Sequence, residues 1–340
     1  MLGALPAIFA GLPPEFQHSA ASRLEPLHVD TGDPIMLEGE EDTTVAFVGS
    51  GTCEIWRGEA KVGSAGPRDI IGEIELFGGM PRVCTITAAT PVQLQALGPE
   101  AFAELAREGH PIVHHLERAV LRRIAERLSR ADETIAQFAK GRAVERKPER
   151  TPSLLDRLTA PFRRSAVAPE VDPLEVLTSS EIFGWAPRDV LVELAGAFEV
   201  VRFSPEQKIC RQGEEGDRIF VVAEGSVEVL VELAQGRVHS RGIVGPGRVF
   251  GDAAVARTAL RTAHVVTHDE LVALTMGRAD FQALFAVDGP VGSVFRQALV
   301  RSLTLQLLPA LDQAAGILAQ RASQEEELYK GTPVGMIWRD

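Results

Sequence analysis

The sequence predicts a mainly β, α+β architecture: two small β-rolls in tandem, double-stranded and jelly-roll-like, each with flanking helices. Three observations predict it. The chain repeats itself once over most of its length, each copy passes from helical to alternating periodicity in the same order, and a proline-rich stretch separates the copies. With 340 residues there is room for two cores of about 100 to 150 residues each plus a linker.

The repeat fixes the architecture before any local assignment. Ile8-Phe9 matches Ile182-Phe183, Pro13 matches Pro187, Gly39-Glu40 matches Gly213-Glu214 and Gly51 matches Gly225, all at an offset of 174. Further on, Gly72 matches Gly251, Arg82 matches Arg261 and Phe102 matches Phe281 at an offset of 179. The second copy therefore carries five extra residues, expected in a hairpin near Leu233–Ser240.

In the second copy a helical pattern (Val190, Leu191, Leu194, Ala195, Phe198) gives way to short runs at 218–222, 227–231, 262–266 and 271–275. Gly-rich turns at Glu224-Gly225-Ser226 and Gly245-Pro246-Gly247 punctuate them. Many short strands between turn signals make a roll or barrel. After the first roll a helix is expected over about 111–139, apolar at Leu121, Ile124, Leu128, Ala131, Ile135 and Phe138. That 3-4 spacing makes a face wanting a partner, either its own roll or a second helix, through self-association or interdomain docking. Pro148, Pro152, Pro161, Pro169 and Pro173 mark a linker. The expected division is a first domain with its closing helix at 1–139, a basic linker at 140–175, a second domain at 176–320 and a tail at 321–340.

Bulk composition narrows the function. An apolar fraction of 45% and a charged fraction of 24% are those of a soluble globular chain. No run approaches the roughly 20 apolar residues of a membrane span. The apolar N-terminus lacks a preceding Lys or Arg and contains Pro6, Pro13 and Pro14, so it reads as helical turns rather than a signal segment. Cys53, Cys84 and Cys210 are far apart and form no CxxC pair, which points to a reducing cytoplasm. A net charge of −12 argues against a nucleic-acid partner. Basic charge is concentrated in 139–165, which carries a local +5.

The segment Gly72-Glu73-Ile74-Glu75-Leu76-Phe77-Gly78-Gly79-Met80-Pro81-Arg82-Val83-Cys84 places an arginine ten residues after a glycine that opens a short helical stretch. A cyclic phosphodiester carries one negative charge, and backbone N–H groups at Gly72, Glu73 and Ile74 suit it. Arg82 would supply a charge-assisted fork and Glu73 an acceptor for a ribose hydroxyl, with Val83, next after the arginine, also a candidate ligand contact. The second copy offers Gly251, Asp252, Ala253, Ala254, Arg261 and Thr262 in the same order.

These motifs, together with Gly213-Glu214-Glu215-Gly216-Asp217 and Gly225, resemble the cyclic-nucleotide-binding domain family. Its phosphate cassette reads approximately Phe-Gly-Glu-x-Ala-Leu, with Arg-Ala-Ala-Thr-Val a short way on. The resemblance covers about 5–138 and 176–305, and the tandem order is similar to the regulatory subunits of cyclic-AMP-dependent protein kinase. It implies a non-enzymatic sensor of cyclic AMP, with cyclic GMP the alternative at the second site, where Thr262 follows the arginine. Its output would be a protein partner or self-association through the helix at 111–139. The alternative is an interaction scaffold with vestigial pockets. Two departures bear on ligand. Glu75 stands where the family has a small residue facing the phosphate, unfavourable to an anion unless the side chain points to water. Asp252 replaces Glu and is one methylene short of the ribose.

Other features are read more plainly. His110, His114 and His115 lack a partner carboxylate motif for zinc, His264 and His268 are equally ordinary, and no inward His/Glu cluster of a cupin enzyme is present. Arg163-Arg164-Ser165-Ala166-Val167 resembles the family's kinase-inhibitor segment but lies between the domains, so a charged linker is expected. Trp185, Phe138 and Phe295 are candidate lids for the base. After Val291–Leu318, a helical region, too little chain follows for a helix-turn-helix DNA reader.

Overall fold

The computed structural model describes residues 6–139, 142–143, 171–233 and 236–330. The inhibitor-like segment at 163–167 and most of the basic linker lie outside the described residues.

Each roll is two antiparallel sheets face to face. In the first, β1 (Glu25–Val29), β8 (Val92–Leu97), β3 (Val45–Ser50) and β6 (Ile70–Ile71) form one sheet. The other contains β2 (Pro34–Met36), β7 (Thr85–Ala88), β4 (Cys53–Arg57) and β5 (Ala60–Ala65). Alternation does the sorting, as β7 shows by burying Ile86 and Ala88 while Thr85 and Thr87 are only half-buried. The second roll repeats the order with β10 (Glu199–Phe203), β17 (Leu271–Gly277), β12 (Arg218–Glu224) and β15 (Val249–Phe250) in one sheet. Its other sheet has β11 (Lys208–Cys210), β16 (His264–Thr267), β13 (Val227–Glu232) and β14 (Arg237–Val244). A fifth strand there, β9 (Arg142–Ala143), comes from the expected linker. The extra residues of the second copy fall in the β13–β14 hairpin, since β4 and β13 start 174 apart and β5 and β14 end 179 apart.

The helices also repeat: α1 (Pro14–Ala21), α2 (Glu73–Gly78), α3 (Pro99–Arg107) and α4 (Pro111–Phe138) belong to the first copy. After α5 (Pro173–Ser179), which begins inside the expected linker, come α6 (Arg188–Ala195), α7 (Asp252–Arg257), α8 (Arg278–Ala286) and α9 (Pro290–Lys330). The last helix runs through ten residues expected as tail. Proline at the first helical position opens α3, α4 and α5, where its missing N–H costs nothing.

The long helices α4 and α9 pack along each other and form the seam between the domains. Leu121, Ile124, Leu128 and Ile135 are fully buried at 0% exposure, each contributing about 1.5–3 kcal/mol of burial. The stripe is thus taken up by interdomain docking, and the expectation of self-association through 111–139 gives way because the chain's own α9 covers that face. α9 also packs over α2 and β5 of the first roll, while α4 reaches α7 of the second. Each closing helix therefore touches the cassette helix of both copies. Among the described residues no helix is long and apolar enough to cross a membrane.

Candidate functional site

In both rolls a two-residue strand ends in a glycine of positive φ, 74° at Gly72 and 81° at Gly251, followed by the six-residue cassette helix. The glycines are required twice over. An L side chain rarely adopts that φ, and a Cβ there would collide with the guanidinium of the cassette arginine. The arginine needs that space because it folds back beneath the turn. Arg82 Nη1 donates to the Gly72 carbonyl at 3.2 Å and Nη2 to the Thr44 carbonyl at 2.8 Å. Arg261 repeats this, with Nη1 to the Gly251 carbonyl at 2.6 Å and Nη2 to the Arg218 carbonyl at 2.8 Å.

The Gly-Glu repeat holds the arginine's backbone. The Arg82 N–H donates to the Glu40 carbonyl and the Gly39 N–H to the Arg82 carbonyl, both at 2.8 Å. The Arg261 N–H donates to the Glu214 carbonyl at 2.7 Å and the Gly213 N–H to the Arg261 carbonyl at 2.9 Å. Two distant motifs of the sequence are one hydrogen-bonded unit.

The first cassette is packed with carboxylates. Glu75 does not point to water: it is 4% exposed, and its Oε1 accepts from the Val83 N–H at 2.9 Å while Oε2 accepts from Arg82 Nη1 at 3.2 Å. Burial pushes the Glu75 carboxyl above its ordinary pKa, against the lowering effect of the Val83 N–H and Arg82. A second carboxylate, Asp42, pairs with Arg82 Nη2. Burial works against its charge, but the Thr44 N–H and Arg82 outweigh it and hold its pKa low. Glu73 is fully buried beside Arg127 of α4, whose Nη1 lies 2.5 Å from Oε1. Ile74 and Val83 are also buried. Cys84 is also buried, and its thiol pKa is pushed up to about 12, so it stays protonated.

The second cassette is plainer. Ala254 stands where the first has Glu75, and it is buried against the loop, where Gly216 leaves room for its Cβ. Among the described residues the only carboxylate on Arg261 is Asp217, at 3.4 Å and with its side chain 66% exposed. Asp252 is fully buried, accepting from Ser302 Oγ at 2.6 Å and from Gln306 Nε2 at 3.0 Å, both on α9. Burial raises its pKa above the ordinary carboxylate value despite those donors. Ala253 and Thr262 are half-buried at its rim.

One cross-brace ties each cassette to the other domain. Arg57 of β4 donates to the Val83 carbonyl and, through Nε at 2.8 Å, to Asp312 of α9. Arg241 of β14 makes a two-pronged pair with Asp132 of α4 at 2.9 and 2.8 Å, and its Nη2 reaches Gln306, which also holds Asp252. Sequence reasoning missed Asp42, Arg57, Arg127, Arg241, Ser302 and Gln306, because each comes from an element remote in the chain. Asp217 alone carried a signal, as the end of Gly213–Asp217.

The aromatic candidates part company. Phe295 is 0% exposed and edge-on to Phe281 at 5.3 Å, so it is core rather than a lid. Phe138 is half-buried under the Arg321 guanidinium. Trp185 is 41% exposed, its indole N–H donates to the Ile182 carbonyl at 2.8 Å, and Arg301 lies over its ring. His110 caps α4, with Nδ1 accepting from the Ile112 N–H at 3.2 Å.

A β-roll with a glycine turn, a short helix and a buried arginine, present twice and closed by paired helices, defines a tandem small-ligand-binding module. The sequence model of the family described as "Cyclic nucleotide-binding domain" matches residues 26–108 and 200–288, together half of the chain. The chain belongs to that family. It is 25% identical over 284 residues to a cAMP-dependent protein kinase regulatory subunit of Yarrowia lipolytica, covering 84% of this chain and 59% of that relative. It is 36% identical over 112 residues to a cyclic nucleotide-gated potassium channel of Mesorhizobium japonicum, covering 32% of this chain and 28% of the channel. The chain thus spans less than two thirds of either relative. A solved regulatory subunit of a cAMP-independent protein kinase A from Trypanosoma brucei is 19% identical, with 84% of this chain and 81% of that one covered. The TM-score of that match is 0.31.

Proposed function

We propose that the protein is a non-enzymatic cyclic-nucleotide sensor, in which the cassette around Arg261 takes the cyclic phosphate and the two domains pass on its occupancy by rearranging. The observation that carries this reading is the second cassette itself: a buried arginine beside a small, uncharged Ala254, with its one carboxylate partner lying largely in solvent. A phosphate there can displace Asp217, whose carboxylate is 66% exposed and has water to return to. Cyclic AMP is the first ligand to test, and Thr262 keeps cyclic GMP as the alternative at this site. The relative named as a kinase regulatory subunit supports a protein partner as the output.

The coupling follows from Asp252. A ribose hydroxyl approaching it must compete with Ser302 and Gln306 of α9, and Gln306 also reaches Arg241, which holds Asp132 of α4. Ligand would thereby favour an arrangement in which α9 sits differently on α7. A ligand with equal affinity for both arrangements would shift nothing. Isothermal titration with cyclic AMP and cyclic GMP tests the reading. Arg261→Ala should weaken binding tenfold or more, the loss of about 1.5–3 kcal/mol of charged hydrogen bonding. Binding unchanged by Arg261→Ala would reject the assignment.

A further inference from the structure

We infer that Glu75 is the first cassette's own anion: its carboxylate fills the seat a cyclic phosphate would need, so the first pocket refuses cyclic nucleotide and the second alone accepts it. This rests on the reading of the Arg261 cassette as a phosphate site.

A phosphate bound in the cassette needs a guanidinium and a backbone N–H that converge on one pair of oxygens. In the first roll that pair of oxygens is already there. Glu75 Oε1 takes the Val83 N–H at 2.9 Å and Oε2 takes Arg82 Nη1 at 3.2 Å. A carboxylate presents a forked pair of anionic acceptors much as a phosphodiester presents its exocyclic oxygens, so it satisfies the same donors. The seat is also enclosed. Glu75 is 4% exposed, Arg82 is 2% exposed, and α9 of the other domain packs over the cassette helix.

Charge count reinforces geometry. Arg82 already meets Glu75 and Asp42, and the fully buried Glu73 lies on the same helix beside Arg127. A further anion would have to enter among three carboxylates, two of them buried, where like charges are screened little. The equivalent position in the second roll, 179 residues on, is Ala254, which brings no charge. Asp252, the counterpart of Glu73, is there turned to α9, its oxygens taken by Ser302 and Gln306.

The test is the stoichiometry of cyclic AMP binding to the full chain by isothermal titration. The parent is expected to bind one equivalent, lost in Arg261→Ala. Glu75→Ala, or Glu75→Ser should the first variant fold poorly by circular dichroism, is expected to gain a second equivalent with an affinity within about tenfold of the first. Adding Arg82→Ala to that variant should remove the gained site. Two equivalents in the parent, one of them lost in Arg82→Ala, would overturn the inference, as would a folded Glu75→Ala or Glu75→Ser protein that keeps a single site. The two readings fail separately. A parent that binds nothing, beside a Glu75→Ala protein that binds one Arg82-dependent equivalent, ends the reading of the second cassette and sustains this one. One Arg261-dependent equivalent in parent and variant alike does the reverse.

Discussion

Asp252 is ionised only at a cost, because burial removes its water and two neutral donors on α9 replace it incompletely. Its folded pKa is therefore raised, the native state holds the proton more tightly than the unfolded chain, and stability falls as pH rises from the ordinary carboxylate value through the raised one. Glu75 acts in the same direction. Asp42, whose folded pKa is lowered, acts oppositely, its contribution being lost as pH falls. Urea unfolding of the parent and of Asp252→Asn between about pH 4 and pH 7 should separate them. The variant is expected to lose less stability across that window, and parallel curves would count against a buried, high-pKa Asp252. Gly72, Arg82 and the Gly-Glu pair were legible at this scale because only one residue type fits each role. Glu75 was legible as a departure, but its direction was not, since that depends on how α2 is turned against Val83.

Among the elements, the seam between α4 and α9 carries a charge pair that no turn or strand explains. Glu117 and Arg296 are both 0% exposed, with Arg296 Nε donating to Glu117 at 2.9 Å. Ser293 and Gln297 complete the carboxylate at 2.5 and 3.0 Å, and Arg296 Nη1 serves the Phe285 and Val287 carbonyls at 3.0 and 2.7 Å. Removing one partner strands the other charge in the interior, so Glu117→Ala should cost about 3–5 kcal/mol by urea unfolding. Glu117→Met together with Arg296→Met should cost less than the sum of the two single changes. A Glu117→Ala loss below about 1 kcal/mol would mean that water reaches the pair. The strands and the 3-4 stripe of α4 were readable because periodicity is local. The partner of the stripe was not, because it is supplied by α9, nearly two hundred residues away in the chain.

Across the whole molecule, the two domains are built as crossed halves. α9 of the second roll lies over the first cassette, α4 of the first reaches the second, and Arg57–Asp312 and Asp132–Arg241 tie the crossing on either side. The sequence shows two copies but not that their closing helices exchange roofs, since nothing local in either helix distinguishes its own cassette from the other. The crossing is what would turn a binding site into a sensor: Gln306, which holds Asp252, also accepts from Arg241, and Arg241 pairs with Asp132 of α4 across the seam, so a ligand that displaces Gln306 acts on the residue that joins the two domains. Small-angle X-ray scattering of the full chain, with and without cyclic AMP at a concentration that calorimetry shows to be saturating, measures this directly. A changed radius of gyration and pair-distance distribution on saturation is the predicted result, and superimposable curves at full occupancy would contradict it.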